Sequence, residues 1–218
     1  GKYLQGQSAM KRGDFGLART CLEDAAGLLP TDAAIRDMLL RLDVRENKVE
    51  RFKDGALALL RIDPDNAMAN YMLGFARIRE GQYDLAEDVI RRSLEKEESP
   101  VAYNDLAWLL ERKGNLANAE EMARKSLAMK ESFEAWDTLG VIQLKAGQLE
   151  EAEKSLKTAL LLGNDAAVVN LHLAELYLKK SDESRAREYE AKVKGRENAL
   201  SVEDKKALDG LRRQLGIK

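Results

Sequence analysis

Residues 134–162 read EAWDTLGVIQLKAGQLEEAEKSLKTALLL, two helix-like stretches joined by the polar gap KAGQL at 145–149. Leu139, Ile142 and Leu144 recur at the short steps that put apolar side chains on one face of a helix. The same kind of gap returns along the chain as KRGDF at 11–15, REGQY at 79–83 and RKGNL at 112–116. The turn residues Gly13, Asn47, Gly81, Gly114, Gly147 and Ser181 are 34, 34, 33, 33 and 34 residues apart. A second ladder of small residues keeps this beat (Gly6, Gly74, Ala107, Gly140, Ala174), and a third runs through Ala18, Ala86, Ala119, Ala152 and Ala186. Helix–turn–helix units at a period near 34 mark a stacked repeat array. Such an array directs the functional reading toward binding.

Six repeats follow, at about 1–32, 33–66, 67–99, 100–132, 133–165 and 166–194. Pro30 and Pro64 close the first two, because a proline just past a helix end cannot continue it. Two antiparallel helices on a short turn approach closely only where side chains are small. Gly74 is therefore expected to face Ala86, Ala107 to face Ala119, and Gly140 to face Ala152. The second repeat breaks the rule with Leu40 and Phe52, and Gly55 and Ala56 follow one turn later as a compensating swap of large and small; this repeat is expected to be splayed or shifted, the local irregularity of the array. Residues 195–218 read as a linker and a C-terminal capping helix. Ser201 is its N-cap, with Asp204 three residues on, and Ala207, Leu208, Leu211 and Leu215 form its apolar stripe.

Composition narrows the function. The 218 residues carry 36 basic and 38 acidic side chains, a net charge of −2, without the basic excess of a duplex-binding surface. No nucleic-acid partner is expected. No apolar run reaches the length of a membrane helix, so no span is expected in this chain. One cysteine, Cys21, excludes an intrachain disulfide and leaves the redox compartment open. The chain begins Gly-Lys and enters a helix almost at once, which reads as a piece of a longer protein with a truncated N-terminus. Its compartment stays open between cytoplasm and bacterial envelope or periplasm.

Catalysis finds little material. His172 is the one histidine, so a multi-histidine metal site is excluded. Glu120–Glu121 and Glu150–Glu151 sit beside Lys and Arg on second helices, where a solvated face is expected. Each glycine of the ladder is a lone turn residue, not part of a phosphate-cradling loop. No catalytic residue, metal or cofactor is expected.

In phase with the ladders, the residues resemble the tetratricopeptide repeat (TPR) family over about 1–194. The fifth repeat carries the resemblance in Trp136, Leu139, Gly140, Gly147, Ala152, Leu156 and Ala159. The third carries it in Leu73, Gly74, Gly81, Tyr83, Ala86, Ile90 and Ser93. The second keeps little beyond Asn47 and Pro64. The resemblance implies an all-α fold, an α-solenoid in the form of a right-handed TPR superhelix of about six helix–turn–helix repeats plus the capping helix. A narrower likeness, in residues 104–129 and 170–188, is to bacterial TPR proteins that accompany exopolysaccharide export and exosortase-type sorting.

The family geometry implies that first helices line a concave groove. Carried over by position, the groove residues are Met38, Arg41, Met68, Tyr71, Met72, Phe75, Ile78, Asn104, Asp105 and Trp108, with Asp137, Val141, His172 and Glu175 further along. The apolar members would either anchor a peptide or pack between neighbouring helices. The carboxylate clamp of co-chaperone TPR domains, built from Lys, Asn and Arg, has no counterpart: its places hold Tyr3, Gln7, Met38, Met68 and Met72 in the first three repeats. The resemblance thus implies a non-catalytic protein–protein interaction scaffold with a protein or peptide partner in the groove. The alternatives are a homo-oligomer, in which one chain's end stacks on another's, and a regulatory segment of a larger envelope or export protein.

Overall fold

The computed structural model describes residues 1–163 and 166–217. The described residues form α-helices, one 3-10 turn and no strand. Two compact bodies divide the chain, Gly1–Glu98 and Ser99–Lys218. The N-terminal body holds α1 (Lys2–Arg12), α2 (Phe15–Leu28), α3 (Ala33–Arg45), α4 (Val49–Leu60), α5 (Ala67–Arg79) and α6 (Tyr83–Lys96). The C-terminal body holds α7 (Pro100–Arg112), α8 (Leu116–Met129), α9 (Phe133–Lys145), α10 (Leu149–Leu162), α11 (Ala167–Lys179) and α12 (Glu183–Val193). It ends with the 3-10 turn Glu197–Ala199 and α13 (Val202–Gln214). The expected break near residue 165 lies outside the described residues.

Each first helix ends the same way, and the ending explains the 34-residue beat. Gly81 N–H donates to Ile78 O and Gln82 N–H to Arg77 O, a paired closure that requires a left-handed residue at position 81. The same pairs close α1, α3, α7, α9 and α11 at Gly13, Asn47, Gly114, Gly147 and Ser181. All six have positive φ, including Asn47 at 52° and Ser181 at 59°. Glycine takes that conformation without Cβ strain, and asparagine is the next best choice. Helix starts are specified by side chains as well. Asp14, Asp32, Asn66, Ser99, Ser132 and Asp182 each accept a backbone N–H from the first turn of the helix that follows. Ser201 and Asp204 form the full capping box of α13.

Packing inside each hairpin follows a size rule that refines the expected Gly–Ala crossings. A Cβ built on Gly74 would lie 2.4 Å from Ile90 Cγ1, one on Gly140 2.6 Å from Leu156 Cγ, and one on Gly6 2.7 Å from Leu22 Cγ. The residue seated on each glycine is therefore one turn beyond the ladder alanine, 16 positions from the glycine. The second repeat inverts this pair: Leu40 stands at the glycine place and Ala56 at the large place, both fully buried in one cluster. Gly55 lies beside Leu40, its built Cβ 3.6 Å from Leu40 Cδ1. Phe52 turns toward Phe75, with ring centroids 6.0 Å apart. Large and small have changed helices, which is why the second repeat matches the pattern so poorly and still packs.

Polar ties join successive repeats. Arg19 reaches Asp43 and Glu46, and Lys53 pairs with Glu80. Glu153 accepts from Lys157, Tyr177 and Lys180, which hold its carboxyl down to about 2, Lys157 contributing most. Ser93 and Ser126 donate to Ala67 O and Pro100 O, back to the start of their own first helices. In the C-terminal body Leu208, Leu211 and Leu215 are buried in the core that also contains Leu173, Tyr177 and Val193. At roughly 1.5–3 kcal/mol for each buried leucine, α13 is a structural part of this body.

Candidate functional site

The first-helix residues of the N-terminal body lie on α3 and α5. Met38 is half-buried against Leu22 and Leu42. Arg41 is exposed, its Nε 2.7 Å from Asp37 Oδ2. Met68, Tyr71 and Phe75 are half-buried around the cluster of Leu40, Phe52 and Leu73, and Met72 is buried inside it.

In the C-terminal body the first helices are tied face to face at one-repeat separation. Glu111, nearly enclosed, pairs with Lys145. His172 Nδ1 lies 2.8 Å from Asp137 Oδ1, and Lys179 Nζ donates to Leu144 O at 2.8 Å. Burial alone would lower the His172 pKa. The adjacent Asp137 carboxylate outweighs it, with Glu175 and Asp204 adding to the effect, and raises it to about 9, so the imidazole is a cation at neutral pH. Burial pushes the Glu175 carboxyl up, against the opposing charge of His172.

Trp108 is half-buried on α7, with the Arg112 guanidinium 4.7 Å above its ring centroid. Arg112 also donates from Nη1 and Nη2 to the two carboxylate oxygens of Glu203, at 2.6 and 3.0 Å. Trp108, Arg112, Val141, His172, Glu175 and Glu203 are among the lining of a cavity of about 410 Å³. A second cavity, about 310 Å³, is lined by Asn104 and Asp105 together with Lys130 and Glu134. Asn104 Oδ1 is buried there without a hydrogen-bond partner. Such an acceptor costs about 1–3 kcal/mol unless a donor reaches it.

Of the sequence-derived set, Asn104, Asp105 and Trp108 stand along α7, and Met68, Tyr71, Met72 and Phe75 stand along α5. Sequence reasoning did not single out Arg112 or Glu203, which are separated by 91 positions. A contact between a repeat and the non-repeating tail leaves no periodic signal. Three members of the acidic pairs on second helices have ordinary partners: Glu120 with Arg124, Glu121 with Lys125, and Glu150 with Lys180. No group of three or more His, Cys, Asp or Glu able to hold a metal occurs among the described residues. Among them no helix is long and apolar enough to cross a membrane.

The family model of the tetratricopeptide repeat matches residues 71–132 and 138–199, more than half of the chain. The chain belongs to the tetratricopeptide repeat family. Solved TPR structures align over nearly its whole length. PilW, described as a widely conserved type IV pilus biogenesis factor, is similar at 20% identity and TM-score 0.68, with 95% of this chain and 96% of that one covered. PilF of Pseudomonas aeruginosa is similar at 18% identity and TM-score 0.69, covering 96% of each chain. YrrB, described as a TPR protein with an unusual peptide-binding site, is similar at 18% identity and TM-score 0.66, over 88% of this chain and 97% of its own. At such identities the likeness concerns the fold. No curated protein matches the chain in sequence. The TPR fold is that of a protein–protein interaction scaffold.

Proposed function

We propose that the chain is a non-catalytic scaffold that binds a protein or peptide partner on its first-helix faces. Asn104, Asp105 and Trp108 supply contacts in the C-terminal body, and Met38, Arg41, Met68, Tyr71, Met72 and Phe75 supply them in the N-terminal body. The observation that carries this reading is the α7 face. A half-open tryptophan under a guanidinium stands one turn from an orphaned buried carbonyl, Asn104 Oδ1. An indole offers apolar area at low entropic cost, and Asn104 Oδ1, buried without a partner, gains a donor when its side chain turns toward an incoming segment. YrrB, a relative in fold, is described as having a peptide-binding site, which accords with this reading. Capture from lysate of the source organism, identified by mass spectrometry, tests it. The parent chain retains a partner that Trp108→Asp loses while helicity and melting stay unchanged. Equal retention by both removes α7 from the binding face.

A second reading is self-association, with exposed leucines such as Leu4, Leu28 and Leu161 available to a second copy. Light scattering across concentration separates it from partner binding, and a monomer at all concentrations ends it.

A further inference from the structure

The cavity beside Trp108 contains a carboxylate of the chain's own tail. Glu203, in the first turn of α13, meets Arg112 with both oxygens, the fork-to-fork geometry in which guanidinium recognises carboxylate. The other cations around the cavity are engaged within the repeats. Lys145 is paired with the nearly enclosed Glu111, and His172 with Asp137. Arg112 differs: its carboxylate comes from a half-exposed side chain on the tail, and the guanidinium lies over an indole. The latch contributes little to holding α13, because the buried Leu208, Leu211 and Leu215 fasten that helix further along. Glu203 can therefore leave Arg112 without unfolding the cap.

We infer that Glu203 is an internal stand-in for the partner: the partner presents an acidic side chain to Arg112 with an apolar neighbour on Trp108 and Val141, displacing Glu203. This rests on the binding reading above and adds the chemistry of the ligand. The chain's own residue shows which group the position accepts. Displacement exchanges one carboxylate for another and leaves the guanidinium paired throughout, avoiding the cost of stranding it.

The probe is the tetrapeptide acetyl-Ser-Val-Glu-Asp-amide, the chain's residues 201–204, beside its neutral counterpart acetyl-Ser-Val-Gln-Asn-amide. Titration into the full chain is followed by NMR at the Trp108 indole N–H and Arg112 Nε–H. Glu203→Ala removes the internal competitor, and the acidic peptide then binds about five-fold tighter than to wild type, the most that an exposed ion pair withholds. The neutral peptide shows no such gain. The double variant Arg112→Gln with Glu203→Ala loses it. Equal binding to wild type and Glu203→Ala, a gain shared by the neutral peptide, a gain surviving in the double variant, or no binding to any chain overturns the inference. If these fail while Trp108→Asp still loses its captured partner, the ligand chemistry is wrong and the binding face stands.

Discussion

His172 on α11 donates to Asp137 on α9 at 2.8 Å, one repeat apart, so the sole histidine of the chain is an inter-repeat fastener. Its pKa of about 9 lies above its ordinary 6.5. The stabilisation is fully present below about 6.5 and is lost as pH rises through about 9. Thermal melts from pH 6 to 10 will show the wild type losing about 3 kcal/mol more than His172→Gln over that window. Glu153 gives the opposite limb. Its contribution is complete above about 4.5 and falls away toward about 2, and Glu153→Gln flattens the acid side of the stability curve.

The size rule inside the hairpins predicts non-additivity. Gly140→Ala places a methyl against Leu156 and costs about 1–3 kcal/mol by overpacking. Leu156→Ala alone costs about 2–5 kcal/mol, and the double variant costs less than the sum because the new methyl occupies the space released. Urea denaturation of the four chains measures the coupling. An additive result would mean that the two positions do not share one space.

Ser181 holds a left-handed backbone where four of its five equivalents or near-equivalents are glycine. Ser181→Gly relieves about 1 kcal/mol of Cβ strain, partly offset by unfolded-state entropy, and raises the melting temperature. Gly114→Ala at the equivalent place lowers it. Calorimetry on both variants checks the two signs together.

The tail helix separates stability from recognition. Leu211→Ala destabilises the C-terminal body by about 2–5 kcal/mol, whereas Glu203→Ala changes stability by less than about 1 kcal/mol. Denaturation followed by far-UV circular dichroism distinguishes them. A large loss in Glu203→Ala would make the Arg112 contact structural.

The array was legible because its signals are local. A left-handed turn demands Gly, Asn or a strained substitute at Gly13, Asn47 and Ser181, and capping oxygens precede helices at Asp14, Ser99 and Ser201. The inverted pair Leu40–Ala56 was visible as an irregularity, but its resolution depends on which side chain faces which across the hairpin. That choice of neighbour follows helix rotation, so the space at Gly74 is filled by Ile90, one turn beyond Ala86. The α7 residues Asn104 and Trp108 could be placed on a face by repeat phase alone. Arg112 and Glu203 could not, since the direction taken by the tail after Val193 is decided by packing of Leu208 and Leu211, without a repeat to copy.

Hydrogen–deuterium exchange on the complex with a captured partner tests the central claim most directly. Protection concentrated on first helices, α7, α9 and α11 in the C-terminal body and α3 and α5 in the N-terminal body, is the predicted result. Protection concentrated on the second helices α8, α10 and α12, with the first helices unchanged, would contradict it.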